Sequence, residues 1–227
     1  MADKILGSVL LVFGIACAPS DSRETDRVRS SGADTAEIAA VDERDAIVFL
    51  GTSLTAGLGL PEGQAFPALI QDTLDAQGIP YHVVNAGVSG ETSAGGLRHI
   101  DWLLRQPVAV LVVELGANDG LRGLDVAAMH SNLQAIIDRT KAAHSDVRIV
   151  LLGMQAPPNL GNEYTSAFRD VYTELAEAND AALVPFLLEG VGGVPELNQA
   201  DGIHPTARGH ELLAANVWHV LEGVVRD

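Results

Sequence analysis

Five short runs of apolar, mostly branched residues recur along the chain at 46–50, 82–86, 108–115, 148–154 and 182–186. Each is too short for a helix and is bounded by turn-forming residues, so each reads as a buried strand. Amphipathic stretches with helical spacing lie between them, at 66–77, 95–104, 126–143 and 163–179, and a last one follows at 207–225. Strands alternating with helices in this order specify an α/β fold, a five-stranded parallel sheet covered by helices on both faces in a three-layer α/β/α sandwich. A chain of 227 residues with 47% hydrophobic content carries enough material for one such core and too little for two. The folded domain is therefore expected over residues 46–227.

The first 45 residues differ in kind. Residues 5–18 are uncharged and mostly apolar and follow Lys4. Their run falls short of the ~20 residues that a spanning helix needs. Residues 1–18 thus read as a signal peptide or lipoprotein signal. Cys17 is the only cysteine, and Gly14-Ile15-Ala16 before it resembles the lipobox of bacterial lipoproteins. That resemblance implies a lipidated Cys17 and an exported protein, periplasmic or anchored to a membrane. Residues 19–45 are rich in Ser, Thr, Asp, Glu and Arg, with few large apolar side chains, a composition too polar to offset its own ordering entropy. They read as a flexible acidic linker. The formal net charge of -16 argues against a nucleic-acid partner, because phosphate backbones are held by clustered Lys and Arg. A small molecule is the expected partner, and the chain is read as a monomer or weak homo-oligomer.

In parallel sheets, reactive groups collect at the carboxyl ends of the strands. Four polar clusters of this sequence fall there: Gly51-Thr52-Ser53 after the first strand, Ser89-Gly90 after the second, Gly116-Ala117-Asn118-Asp119 after the third and Asp201-Gly202-Ile203-His204 after the fifth. Taken singly, each is also an ordinary turn or helix cap. Their joint placement at one edge points to a site. A serine hydroxyl becomes a nucleophile when a neighbouring base takes its proton, and an imidazole base needs a carboxylate to fix its tautomer. Ser53, His204 and Asp201 are the candidates for those roles. The other histidines, His82, His99, His130, His144, His210 and His219, have no comparable neighbours and read as surface or packing residues.

Other chemistries fail on spacing. Neither Gly51-Thr52-Ser53-Leu54-Thr55 nor Gly87-Val88-Ser89-Gly90-Glu91 completes the G-x-S-x-G nucleophile elbow. There is no H-E-x-x-H, no cysteine pair, no P-loop and no dinucleotide fingerprint, so neither a metal nor another cofactor is expected.

Four blocks, Gly51 to Gly57, Asn85 to Ser93, Gly116 to Gly123 and Asp201 to Pro205, resemble in content and order those of the GDSL/SGNH hydrolases. The resemblance covers the chain from about Ala46 to its end and leans toward the bacterial arylesterases related to periplasmic acyl-CoA thioesterase/lysophospholipases. It implies a flavodoxin-like sandwich, with Ser53 as nucleophile, His204 as general base and Asp201 as the acid that orients it. It also implies an oxyanion hole built from the backbone N–H groups of Ser53 and Gly90 and the side-chain amide of Asn118. One position departs, since Asp is usual where this chain has Thr52. Gly120 to Leu124 resembles a segment that covers bound acyl chains in the related thioesterases, which makes Leu121, Arg122 and Leu124 candidate substrate contacts. Pro158, in the segment 155–161, is expected in the opposite wall. That segment is shorter than in those thioesterases, which favours short- to medium-chain carboxylic esters, aryl esters included. The rivals are an acyl-CoA thioesterase or lysophospholipase with the same triad, a carbohydrate acetylesterase, and a non-catalytic exported binding lipoprotein. If Cys17 carries a lipid, Cys17→Ser moves the expressed protein from the membrane to the soluble fraction; unchanged fractionation removes the anchor.

Overall fold

The computed structural model describes residues 44–227. The signal, Cys17 and the linker as far as residue 43 lie outside the described residues; Asp45, the last residue read as linker, opens β1, and Arg44 before it bonds to Asp75 at 2.8 Å. Five strands, β1 (Asp45–Gly51), β2 (Tyr81–Gly87), β3 (Val110–Glu114), β4 (Arg148–Leu152) and β5 (Ala182–Val184), form one parallel sheet in the order β2-β1-β3-β4-β5. Seven helices accompany them: α1 (Ser53–Ala56), α2 (Phe66–Gln77), α3 (Ser93–Leu103), α4 (Ala117–Leu121), α5 (Val126–Ala143), α6 (Asn162–Asn179) and α7 (Ala207–Arg226). Helices α2 and α7 pack together, and α3, α5 and α6 pack in series. Right-handed crossovers from this strand order require that separation, with α2 on one face and α3, α5 and α6 on the other. This is the α/β sandwich expected from the alternation of runs.

The strand order reverses direction between β1 and β3, which makes their carboxyl ends the switch point where doubly wound sheets open a crevice. The ladder is in register to its end: Gly51 of β1 pairs with Gly87 of β2 on one side and with Glu114 of β3 on the other. Strands β1 and β3 are buried almost throughout, whereas the edge strand β2 is mostly half-buried. Phe49 of β1 meets Phe66 of α2 edge-on at 5.6 Å, anchoring α2 to the sheet.

The third to fifth strands are shorter than their apolar runs. Leu115 and Met154 are buried beyond the ends of β3 and β4 without extending the ladder, and Pro185, which has no N–H to donate, follows the end of β5. Helix α3 begins at Ser93, earlier than its apolar pattern suggests, because the Thr92 hydroxyl accepts the Gly95 N–H at 3.3 Å and caps it. The single-turn helices α1 and α4 show no periodicity in the sequence and are seen only in the structure.

Ala65, the cap position of α2, supplies no side-chain acceptor. Instead the Phe66 N–H donates to Nδ1 of the buried His210 on α7 at 3.1 Å, across 144 residues of chain. Burial, with a smaller contribution from the charge of nearby His204, pushes the His210 imidazole down to about 4 from its usual 6.5. The ring is therefore neutral in the fold at a pH where the unfolded chain takes up a proton. The stability it contributes is complete above pH 6.5 and is lost as pH falls from there toward 4. The thermal midpoint should decline across that window, and the decline should be shallower in His210→Gln, which has no such proton to gain.

Candidate active site

The site is built from four loops at the carboxyl edge of the sheet. Beyond Gly51 the chain turns at Thr52, whose hydroxyl accepts the Leu54 N–H at 3.4 Å, and enters α1 with Ser53 as its first residue. Helix α1 ends after one turn at Gly57. On its β2 side there is no room to spare. A Cβ at Gly87 would lie 2.3 Å from the Ala56 backbone nitrogen, so β2 and α1 touch through a position that only glycine can fill.

His204 comes from the loop before α7. Its Nε2 lies 2.9 Å from Ser53 Oγ, across 151 residues of sequence, and its Nδ1 lies 2.6 Å from Asp201 Oδ2. Asp201 Oδ1 accepts the backbone N–H groups of Ile203 and His204, each at 3.0 Å. The His204 hydrogen bond and these two N–H groups hold the Asp201 carboxyl well below the usual carboxylate range. An ionised carboxylate only accepts, so the Nδ1 that it faces carries the proton and Nε2 is left to receive one from Ser53. Gln199 ties this loop to the nucleophile's: its N–H donates to the His204 carbonyl at 2.7 Å, and its Nε2 donates to the Leu58 carbonyl at 2.7 Å and the Pro205 carbonyl at 3.0 Å.

Asn118 stands on α4. Gly116 starts that helix at φ +110°, in the left-handed region, with the Tyr172 hydroxyl 2.2 Å from where a Cβ would be. The Asn118 Nδ2 donates to the Glu91 carbonyl at 2.8 Å, and an amide nitrogen carries a second hydrogen. Gly90 belongs to the loop after β2, where the Arg122 guanidinium donates to its carbonyl at 3.1 Å. The buried Asp119 couples the two loops by accepting the Ser93 N–H at 2.9 Å and hydroxyl at 2.6 Å.

Ser53, Gly90, Asn118 and His204 all line one cavity of about 300 Å³. Of the four candidate substrate contacts, Leu121 lines it. Arg122, Leu124 and Pro158 do not: Arg122 reaches to Gly90, the Leu124 carbonyl accepts the Tyr164 hydroxyl at 2.7 Å, and Pro158 starts a short 3-10 helix. Leu54, Leu58, Met154, Gln155, Leu188 and Ile203 line it instead, together with Thr52, Ser89 and Ala117. Two larger clefts lie between α5 and α6 and beside the exposed Trp102, and neither contains these groups.

One residue of consequence was not singled out from the sequence. Glu114, the last residue of β3, is fully buried under the Ser53 turn and accepts from Thr52 and Thr55. Its signal was a lone carboxylate closing the apolar run Val110-Leu111-Val112-Val113.

A hydroxyl, an imidazole and a carboxylate in hydrogen-bonded series at the switch point of a doubly wound sheet are the arrangement of a serine hydrolase. Comparison with known proteins is specific on which kind. Residues 49–212 match the GDSL-like lipase/acylhydrolase family, and the chain belongs to that family. It is 45% identical over 177 residues to "Esterase TesA" of Pseudomonas aeruginosa, covering 78% of this chain and 87% of that one. It is 39% identical over 172 residues to "Thioesterase 1/protease 1/lysophospholipase L1" of Escherichia coli K12, covering 75% and 80% respectively. Among solved structures, the psychrotrophic esterase EstA from Pseudoalteromonas sp., in a form inhibited by monoethylphosphonate, superposes with a TM-score of 0.75 at 34% identity, covering 81% of this chain and all of that one.

The Gly87 contact yields a direct test. In Gly87→Ala the new methyl group meets backbone that cannot rotate away, so urea unfolding should show a loss of about 1–3 kcal/mol, with a fall in ester turnover as α1 is displaced.

Proposed function

We propose that this protein is an exported serine esterase acting on short- to medium-chain carboxylic esters, aryl esters among them, through an acyl-enzyme. The observation that carries the reading is the unbroken series from Ser53 Oγ through the His204 ring to Asp201. In this scheme His204 Nε2 takes the hydroxyl proton as Ser53 Oγ attacks the ester carbonyl carbon. The oxyanion is held by the N–H groups of Ser53 and Gly90 and the amide of Asn118. The imidazolium, stabilised by Asp201, then protonates the departing alkoxide, leaving the acyl group on Ser53. Water enters, His204 takes its proton, and the acid is released as Ser53 regains its hydrogen.

Substrate class is argued from the cavity. At about 300 Å³ it lies at the small end of ligand pockets, which favours a compact acyl group. Among the described residues its lining includes no Lys, Arg, Asp or Glu, and its walls of Leu, Met and Ile suit an uncharged chain. A protein of net charge -16 also repels polyanionic substrates such as acyl-CoA, which ranks the thioesterase reading second. The esterase named among the relatives supports the first reading, and the thioesterase/lysophospholipase among them keeps the second in view. Export, with lipidation at Cys17 as its finer form, rests on the amino-terminal sequence.

A fluorophosphonate probe should label Ser53 and fail on Ser53→Ala. Asn118→Ala should lose about 10²–10³ in kcat, the usual cost of one oxyanion donor. Across p-nitrophenyl esters of increasing length, rates should peak at short or medium chains. A maximum at palmitate, or faster turnover of acyl-CoA, overturns the substrate assignment.

A further inference from the structure

We infer that Glu114 is a positioning residue for the nucleophile, its buried carboxylate holding the turn that presents Ser53. The inference rests on the reading of Ser53 as nucleophile given above.

The register of the sheet sets Glu114 directly beside Gly51, the residue from which the turn departs. Four donors from the turn converge on the carboxyl. The Thr52 N–H donates to Oε2 at 2.7 Å and the Thr55 N–H to the same oxygen at 3.3 Å. The Thr52 hydroxyl reaches both oxygens, at 3.0 and 2.9 Å, and the Thr55 hydroxyl reaches Oε2 at 2.9 Å. The Thr52 oxygen already accepts the Leu54 N–H, so its own hydrogen is available to Glu114. Four of these five contacts fall on Oε2 and one, from the Thr52 hydroxyl, on Oε1. Burial, the largest influence on this group, pushes its pKa up, and the hydrogen bonds from Thr52 and Thr55 pull it down.

Ser53 lies between the two anchored threonines. Helix α1 is four residues long and cannot hold its own shape, because one turn fixes several dihedrals for a single hydrogen bond. With Thr52 and Thr55 pinned from below by Glu114 and Ala56 against Gly87, the direction of the Ser53 N–H and the place of its Oγ are set from outside the helix. At this position, where Asp is usual in the resembling family, Thr52 supplies two of the four donors to Glu114. A carboxyl there would stand close against Glu114, and two carboxylates at hydrogen-bond range do not both ionise.

The test compares Thr52→Ser, Thr52→Val and Glu114→Gln for kcat and KM on p-nitrophenyl butyrate and for the rate of Ser53 labelling by a fluorophosphonate. Thr52→Ser keeps the hydroxyl and should stay within about threefold of wild type. Thr52→Val should lose roughly 10- to 100-fold in kcat and Glu114→Gln about 100-fold, with KM changed by no more than about twofold, since misplacing a reacting atom costs rate before it costs binding. Labelling should slow by matching factors. Folded variants with wild-type kcat, or with a loss confined to KM, overturn the proposal. If Glu114→Gln does not fold, the contrast between Thr52→Val and Thr52→Ser decides. Failure of the wild-type protein to label at Ser53 would instead refute the nucleophile assignment itself.

Discussion

The pairing of Gly51 with Gly87 on one side and Glu114 on the other is the contact on which the site depends. Three parallel strands end level, so the first turn beyond β1 is enclosed by a glycine that admits close approach and a carboxylate that gathers its donors. Because side chains alternate faces along a strand, a slip of one residue in the β1–β3 register would turn Glu114 to the opposite face of the sheet. Both strands are buried on both faces, so the same slip would set every one of their side chains against the wrong helix, and the packing that fixes the core also seats the carboxyl group.

The remaining groups reach that turn by separate routes, each with its own tie. Asp201 and His204 are rigid relative to each other because the carboxylate accepts two backbone N–H groups of its own loop as well as the imidazole. Gln199 binds this loop to the Leu58 carbonyl beyond α1. Asp119 joins the loop after β2 to the helix that carries Asn118. The polar groups are thus held before substrate arrives, and an oxyanion stabilised by such donors demands little reorganisation.

Where the sequence was easiest to read, physics was local. Helices α2 and α5 run over the residues that their apolar spacing marks, 66–77 and 126–143, because each must bury one stripe against the sheet. The four polar clusters could be placed at one edge because a parallel sheet puts all its carboxyl ends on the same side. The cavity walls were legible only in part. Leu121 was found through the resemblance of its segment to one in the related thioesterases, while Leu54 with Leu58, Met154, Leu188 and Ile203 come from four separate segments that no spacing connects. Helices α1 and α4, one turn each, are too short to leave a periodic trace. Glu114 was visible as an odd residue at the end of an apolar run, but its partner could not be named.

By itself, the sequence determined the alternation of strands and helices, the class of fold and the residue types a serine hydrolase needs, because hydrophobic periodicity and hydrogen-bonding chemistry are properties of neighbouring residues. Only the tertiary structure decided which groups meet: Ser53 with His204 across 151 positions, Phe66 with His210 across 144, and Thr52 with Glu114 across 62. Such contacts follow from strand order and register, which the competition to bury whole faces of the sheet settles for the chain as a unit. Thr52, a bare departure from a family pattern in the sequence, gained its partner only when the carboxyl group beneath it came into view.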